Sequence, residues 1–206
     1  MFTRKRQPNP DSIIIRTLGT TLGTVILFVL EIVQIVIISA AIIIPIRYFL
    51  IQPFYVKGAS MEPNFFDHEY LIIDEISYRF NEPERGDIVV FRYPRDPSQF
   101  FIKRVVALPS ETVEISDGRV IIYNDEFPEG VILLEDYLDP SVVTLGKKRS
   151  QLNVDEYFVL GDNRDASLDS RSFGPVRIRE IVGKVWVRGL PISRVGIFES
   201  PAYNIE

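Results

Sequence analysis

No cysteine occurs in the 206 residues, which excludes a disulfide framework, a thiolate nucleophile and a cysteine-ligated metal together. Histidine is almost as scarce. His68 is the only one, so a multi-histidine metal site is ruled out and a Ser-His-Asp triad would have one residue to use as its base. The single tryptophan, Trp186 in VGKVWVRG, reads as a strand residue filling the core. An excess of positive charge is also missing, since the net charge is −5. That value conceals a split: residues 1–24, with Arg4, Lys5, Arg6 and Arg16 against Asp11, carry +3, residues 25–51 carry zero through Glu31 and Arg47, and the remainder carries −8. An acidic body argues against nucleic acid as a partner, and the basic leader points to a membrane.

What the chain does have is one long apolar run. Val25–Ile44, VILFVLEIVQIVIISAAIII, would form a helix about 30 Å long at ~1.5 Å per residue, enough to cross a bilayer core. The run exceeds the ~7 to 15 residues of a cleaved leader's apolar region, and no small-x-small site closes it, so retention as a single-pass anchor is expected. Lys and Arg stay on the cytoplasmic side, which puts residues 1–24 inside and residues 52–206 outside the cytoplasmic membrane. Pro45 and Arg47 mark the outer end of the anchor, taken as residues 25–51. Glu31 and Gln34 share a helix face within it. They read either as a contact with a partner helix, such as one of the protein translocase, or as residues near the inner interface.

Beyond the anchor the periodicity becomes that of strands. Glu69–Ile76, Asp87–Tyr93, Phe101–Leu108, Glu111–Ile115, Arg119–Asn124, Glu156–Leu160 and Val182–Gly189 are rich in β-branched and aromatic residues. Ser116, Asp117 and Gly118 form a hairpin turn signal between two of them. The pattern predicts a mainly β domain over 52–206 with a curved, barrel-like antiparallel sheet. Residues 125–153 fit it less well and read as an insertion or small subdomain. They hold a turn at Pro128 and Gly130, a short helix in VILLEDYLD (Val131–Asp139) and a solvated basic cluster at Lys147, Lys148 and Arg149.

Chemistry concentrates in three segments. VKGASMEPNF, Val56–Phe65, offers the hydroxyl of Ser60 just after the anchor, and a serine is a weak nucleophile until a base takes its proton. FFIKRVVAL offers that base. Its alternation sets Lys103 and Arg104 on opposite faces among apolar neighbours. Burial disfavours an ammonium and lowers its pKa from about 10.4, whereas arginine stays charged, so only Lys103 can serve. GDNRDASLDSRSFGPV, Gly161–Val176, crowds Asp162, Arg164, Asp165, Asp169 and Arg171 into one loop. These could form an ion-pair network, with Ser167 orienting a neutral lysine amine. A divalent cation held by the same carboxylates is the bland alternative, which the interleaved arginines oppose. His68 competes for the role of base but sits in a polar turn. Met61 reads as core, with the lipid surface as its alternative.

VKGASMEPNF, GDIVVFR, FIKRVVALP and GDNRDASLDSRSFGPV, in this order behind a membrane anchor, resemble the boxes of the type I signal peptidases, the Ser-Lys leader peptidases of bacteria. The resemblance covers most of residues 52–185. It implies a serine endopeptidase that needs no metal or organic cofactor. Its substrates would be the signal peptides of exported preproteins, cut after small residues at the outer membrane surface. It also implies roles: Ser60 as nucleophile, Lys103 as general base, Ser167 as the hydroxyl that hydrogen-bonds the lysine, Asp169 and Arg171 as a structural ion pair, and Gly161 as the residue that leaves room beside the base. Pro53, Phe54, Val56, Phe101 and Ile102 would line shallow pockets for small side chains.

Two departures stand out. Gly58 replaces a serine that completes the oxyanion hole in some members, leaving the Ser60 N–H as the donor that can be named. Ser110 replaces the glycine of a common LPGD turn, and a positive φ there would strain it. Asn64, where threonine is usual, looks harmless. A LexA-like self-cleaving peptidase would carry an N-terminal DNA-binding domain, for which residues 1–51 leave no room. A catalytically dead binding module would be expected to lack Ser60 or Lys103, and both are present.

Overall fold

The apolar run forms one helix. In the structure, a computed structural model that describes residues 20–45 and 51–198, α1 spans Thr20–Pro45, and it contains both Glu31 and Gln34. Its end falls at the proline, which cannot continue the hydrogen-bond ladder. The basic residues Arg4, Lys5, Arg6, Arg16 and Arg47 lie outside the described residues. The chain divides into two compact units, Met1–Tyr48 and Phe49–Glu206.

The second unit is mainly β, as its periodicity predicts. Its strands are β1 (Ile51–Tyr55), β2 (Tyr70–Asp74), β3 (Ile88–Tyr93), β4 (Asp96–Ala107), β5 (Thr112–Ser116), β6 (Arg119–Tyr123), β7 (Val131–Ile132), β8 (Lys148–Gln151), β9 (Glu156–Leu160), β10 (Val176–Arg177), β11 (Ile181–Leu190) and β12 (Gly196–Ile197). A four-residue helix, α2 (Ser170–Phe173), lies between β9 and β10. Among the described residues, one antiparallel sheet runs β1-β2-β11-β3-β4-β9-β10 with β12 on β11, and a smaller one runs β7-β6-β5-β8. The larger path ends at β1 and β10 without closing, so the barrel-like curvature stops short of a barrel.

The β5–β6 hairpin forms as its turn signal predicts. Ser116 faces Arg119, and the two residues between them, Asp117 and Gly118, take φ of 50° and 79°, the two positive values that a type I′ turn requires. Among the described residues, three apolar clusters fill the unit. Val113, Ile115, Val120 and Ile122 of the small sheet pack on Phe158 and Leu160 of β9. Val89, Phe91 and Val105 pack with Tyr157 and Val159 around β4. Val56, Met61, Phe65, Leu71 and Ile73 secure the chain around position 60.

Several expectations are corrected. Val131–Asp139 contains no helix: it gives β7 and then turns, because Val131 and Leu133 bury themselves in the small-sheet core on alternate residues, the period of a strand. Residues 125–153 supply β7 and β8 to a sheet whose other strands are β5 and β6. Lys148 is not merely solvated, since its Nζ donates to the Ser170 and Arg171 carbonyls of α2, each at 2.9 Å. Trp186 does not fill the core. It is 47% exposed, on the outward side of β11.

Candidate active site

Ser60 sits in a tight turn after β1, held at both ends. Gly58 takes φ of 90° and donates its N–H to Asp67 Oδ1 at 2.9 Å. Met61 and Phe65, both fully buried, pin the other end, joined by the Phe65 N–H to the Met61 carbonyl at 2.8 Å. The loop after β9 closes on this turn from behind: Asn163 donates its N–H to the Ser60 carbonyl and its side-chain amide to the Ala59 carbonyl, each at 3.1 Å.

Lys103 lies on β4, paired with Val89 of β3, in the interior of the larger sheet. Its Nζ is 2.7 Å from Ser60 Oγ and donates to the Ile102 carbonyl at 2.6 Å. Lys103 is 3% exposed. Desolvation pulls its pKa down to about 8, against the opposing charges of Asp169 and Asp162. At that value about a tenth of the amine is uncharged at pH 7, against less than a thousandth for a free lysine.

The pair opens into a cleft of about 630 Å³ between the β1 end and β4. Phe54, Val56, Phe101 and Ile102 line it, whereas Pro53, exposed on β1, is not among its lining residues. Sequence reading did not single out Leu71, Val90, Phe100, Ala166 and Leu168, which also line the cleft. Each belongs to a strand or box that was recognised, but which face it offers depends on register across the sheet. Stacking of Tyr93 on Phe101 at 4.5 Å stiffens the strand that carries Lys103.

The support residues divide the loop charges differently from the network expected. Arg171 clasps Asp169 through Nε to Oδ1 and Nη2 to Oδ2, both at 2.8 Å, with Asp169 fully buried. Burial alone would raise the Asp169 pKa, but the Arg171 hydrogen bonds and charge overcome it and hold the carboxylate below its usual range. Asp162 pairs instead with Arg104, and Arg164 with Glu135, while Asp165 is exposed. With Asp162 and Asp169 each committed to an arginine, the loop has no free pair of buried carboxylates to offer a divalent cation.

Gly161 packs so closely that a Cβ there would come within 2.5 Å of the Ser60 carbonyl oxygen and 2.2 Å of Ser167 Oγ. Ser167 is therefore brought to the site, but its buried Oγ makes no hydrogen bond to Lys103; its hydroxyl instead helps to lower the Asp169 pKa. His68 is not drawn in as a base. Its ring meets the Tyr55 hydroxyl and Asp67, with its side chain 74% exposed. Ser110 takes φ of 67°, the strained value anticipated for it. Asn64, read as harmless, donates to Asp162 Oδ2 at 2.8 Å and so joins the Arg104 pair.

Comparison with known proteins converges on one family. The family model for signal peptidase, peptidase S26, matches residues 29–189. Signal peptidase I of Leptolyngbya laminosa is 37% identical over 172 residues, 80% of this chain and 81% of its own. A probable signal peptidase I-2 of Synechocystis is 36% identical over 180 residues, 84% of this chain and 78% of its own. A solved signal peptidase I from Enterococcus faecalis V583 is 34% identical, over 51% of this chain and 97% of its own, with a TM-score of 0.43. With the family model spanning well over half its length, this chain belongs to the signal peptidases, peptidase family S26.

Proposed function

We propose that this serine peptidase removes N-terminal signal peptides from exported preproteins with Ser60 as nucleophile and Lys103 as its base, cutting after small residues at the outer surface of the cytoplasmic membrane. The observation that carries the reading is the 2.7 Å approach of Lys103 Nζ to Ser60 Oγ in a nearly water-free position. Geometry and protonation then agree. Desolvation raises the uncharged fraction of an amine already within reach of the proton it must take.

In the first half-reaction Ser60 Oγ attacks the scissile carbonyl as its proton passes to Lys103 Nζ. The Ser60 N–H makes no backbone hydrogen bond among the described residues, so it is free to donate to the developing oxyanion. Collapse of the tetrahedral intermediate breaks the C–N bond, and the Lys103 ammonium returns the proton to the leaving amine. A water then gives its proton to Lys103 and attacks the ester carbonyl; collapse breaks the bond to Ser60 Oγ, the Lys103 ammonium returns the proton to that oxygen, and the signal peptide leaves with its new carboxylate.

The anchor reading rests on Leu22–Ile44, 23 residues long and apolar enough to cross a membrane. The positive charges of residues 1–24 favour a cytoplasmic N-terminus with the catalytic unit outside. Phospholipid and preprotein are then the partners, with the protein translocase a candidate neighbour of Glu31 and Gln34. The domain scheme proposed is a basic segment over 1–24, an anchor over 25–51 and a catalytic unit over 52–206. The test is to mix the detergent-solubilised full chain with a preprotein bearing a small-x-small site and read the cut by mass spectrometry. Cleavage after the small residue is expected, with loss in both Ser60→Ala and Lys103→Ala and retention in His68→Ala; activity surviving in Lys103→Ala would refute the dyad.

A further inference from the structure

We propose that Asp67 is a positioning residue for the reaction: by accepting the Gly58 N–H it holds the short stretch of chain that delivers Ser60 to Lys103. The proposal rests on the peptidase reading above. Asp67 and Gly58 stand at the neck of the loop that carries Ser60. β1 and β2 pair as far as Tyr55 and Tyr70. Two further bonds continue the ladder, from the Val56 N–H to the Glu69 carbonyl at 2.9 Å and from the His68 N–H to the Val56 carbonyl at 3.1 Å. At the next step a side chain takes over from the backbone, as Asp67 Oδ1 accepts the Gly58 N–H at 2.9 Å.

Little else fixes the chain there. Among the described residues, Lys57 and Gly58 make no backbone–backbone hydrogen bond. Packing does not hold them either: both are exposed, and apart from its chain neighbours no atom lies within 4 Å of the point where a Cβ on Gly58 would sit. Gly58 takes φ of 90°, and a glycine adopts either sign of φ about as readily, so its own preference does not select this conformation. The Asp67 acceptor does. Beyond Gly58 the chain is tied again. The Ala59 carbonyl accepts the Glu62 N–H at 3.2 Å and the Asn163 amide at 3.1 Å, and the Ser60 carbonyl accepts the Asn163 N–H. The Ser60 turn is therefore suspended between Asn163 on one side and Asp67 on the other.

Asp67 is built to be a fixed point. It lies between two buried residues, Phe65 and Glu69, and its Oδ1 also accepts the His68 N–H at 3.1 Å. Its other oxygen faces His68 Nε2 at 3.2 Å, but both side chains are well exposed, and such a pair is worth little. The carboxylate acts through geometry rather than charge, since the carboxylates that bear on Lys103 are Asp169 and Asp162. Nor does the Gly58 N–H serve the oxyanion, because it is already given to Asp67. Loss of the acceptor would free the two residues just before Ser60, and with them the 2.7 Å approach of its Oγ to Lys103 Nζ.

The test uses the full chain in detergent, a preprotein with one small-x-small site, and four variants. D67A and D67L remove the acceptor, the second at similar volume; D67N keeps Oδ1 without the charge; H68A removes the ion pair alone. In D67A and D67L kcat is expected to fall about tenfold, the weight of one hydrogen bond on the barrier, with KM within about twofold of the parent. The amides of Lys57–Ser60 should also exchange faster with deuterated buffer in these two variants. D67N and H68A should keep kcat within about threefold of the parent, a neutral acceptor being roughly half as strong as a charged one. The pH midpoint of kcat/KM, near the Lys103 value of about 8, should be the same in all. Parental kcat in D67A and D67L, equal losses in D67N and D67L, a shifted midpoint in D67N, or loss of fold by circular dichroism in both D67A and D67L would each overturn the positioning role. Those results sink Asp67 alone, whereas a parent that cleaves nothing sinks the peptidase reading with it.

Discussion

Arg104 and Asp162 meet in a two-point fork, Nε to Oδ1 at 2.8 Å and Nη2 to Oδ2 at 2.7 Å, with the two side chains 4% and 0% exposed. The fork joins the residue after Lys103 to the loop whose next residue, Asn163, holds the Ser60 turn. It therefore fixes the separation of Ser60 from Lys103 without touching either. Arg104→Met leaves a buried carboxylate with, among the described residues, only the Asn64 amide as a side-chain donor. Breaking such a pair from one side costs about 3 to 5 kcal/mol. Urea denaturation should show a loss of that order; a loss below about 1 kcal/mol would mean that the pair does not organise the site.

This fork also shows where sequence reading stops. Alternation in FFIKRVVAL placed both cations among apolar neighbours, and both are buried. It could not supply the partner of Arg104, 58 residues away, so the acidic loop looked like a network closed on itself. Short β runs and the hairpin turn were legible because a period of two and a pair of positive φ angles are local properties. β1 was not. Its five residues, IQPFY, overlap the end of the segment taken as the anchor and contain a proline, and only pairing with β2 makes them a strand. Trp186 failed for a related reason, since strand residues alternate sides and nothing local says which side is covered.

The pH dependence follows from the Lys103 value. In the proposed mechanism Lys103 must be uncharged, and burial brings its pKa down to about 8. Peptide kcat/KM should therefore rise as pH increases through about 8 and level off above it. Lys103→Arg should be inactive throughout, because a guanidinium does not release its proton in this range. Stopped-time assays between pH 6 and 10 would read the profile, and a flat rate below pH 7 would refute the assignment.

The same burial carries a stability cost. Below about pH 8 the folded protein must hold an ammonium in a dry site, while the unfolded chain binds that proton up to about 10.4. Between those values the unfolded state binds more protons, so this residue's contribution to stability rises with pH. The difference corresponds to roughly 3 kcal/mol. Lys103→Met should accordingly be more stable than the parent at pH 7, by up to about that amount, while losing all activity. Denaturation of both proteins at pH 7 and pH 10 checks it, the gap narrowing at the higher pH.

Ser110 offers a second gain in stability, this one without effect on the chemistry. It turns the chain after β4 at φ of 67°, where a Cβ crowds the following carbonyl. Ser110→Gly removes that strain but adds freedom to the unfolded chain. The net gain should be about 1 kcal/mol or less, seen as a small rise in Tm with kcat/KM unchanged.

Gly161 is the reverse case, in which a single methyl should harm activity more than stability. Its Cα stands against the Ser60 carbonyl oxygen and the Ser167 side chain, and an added Cβ would lie 2.5 Å and 2.2 Å from those oxygens. Ser167 can turn aside as a flexible side chain, but the Ser60 carbonyl is backbone and also accepts the Asn163 N–H. Relief therefore requires the Ser60 turn itself to move. Displacement by about 1 Å at a reacting atom can cost on the order of a hundredfold in rate, whereas overpacking of this kind costs about 1 to 3 kcal/mol of stability. Gly161→Ala should thus remain folded at 25 °C by circular dichroism while kcat falls about a hundredfold and KM changes little. Equal losses in kcat and in folded fraction would mean that the glycine serves packing alone.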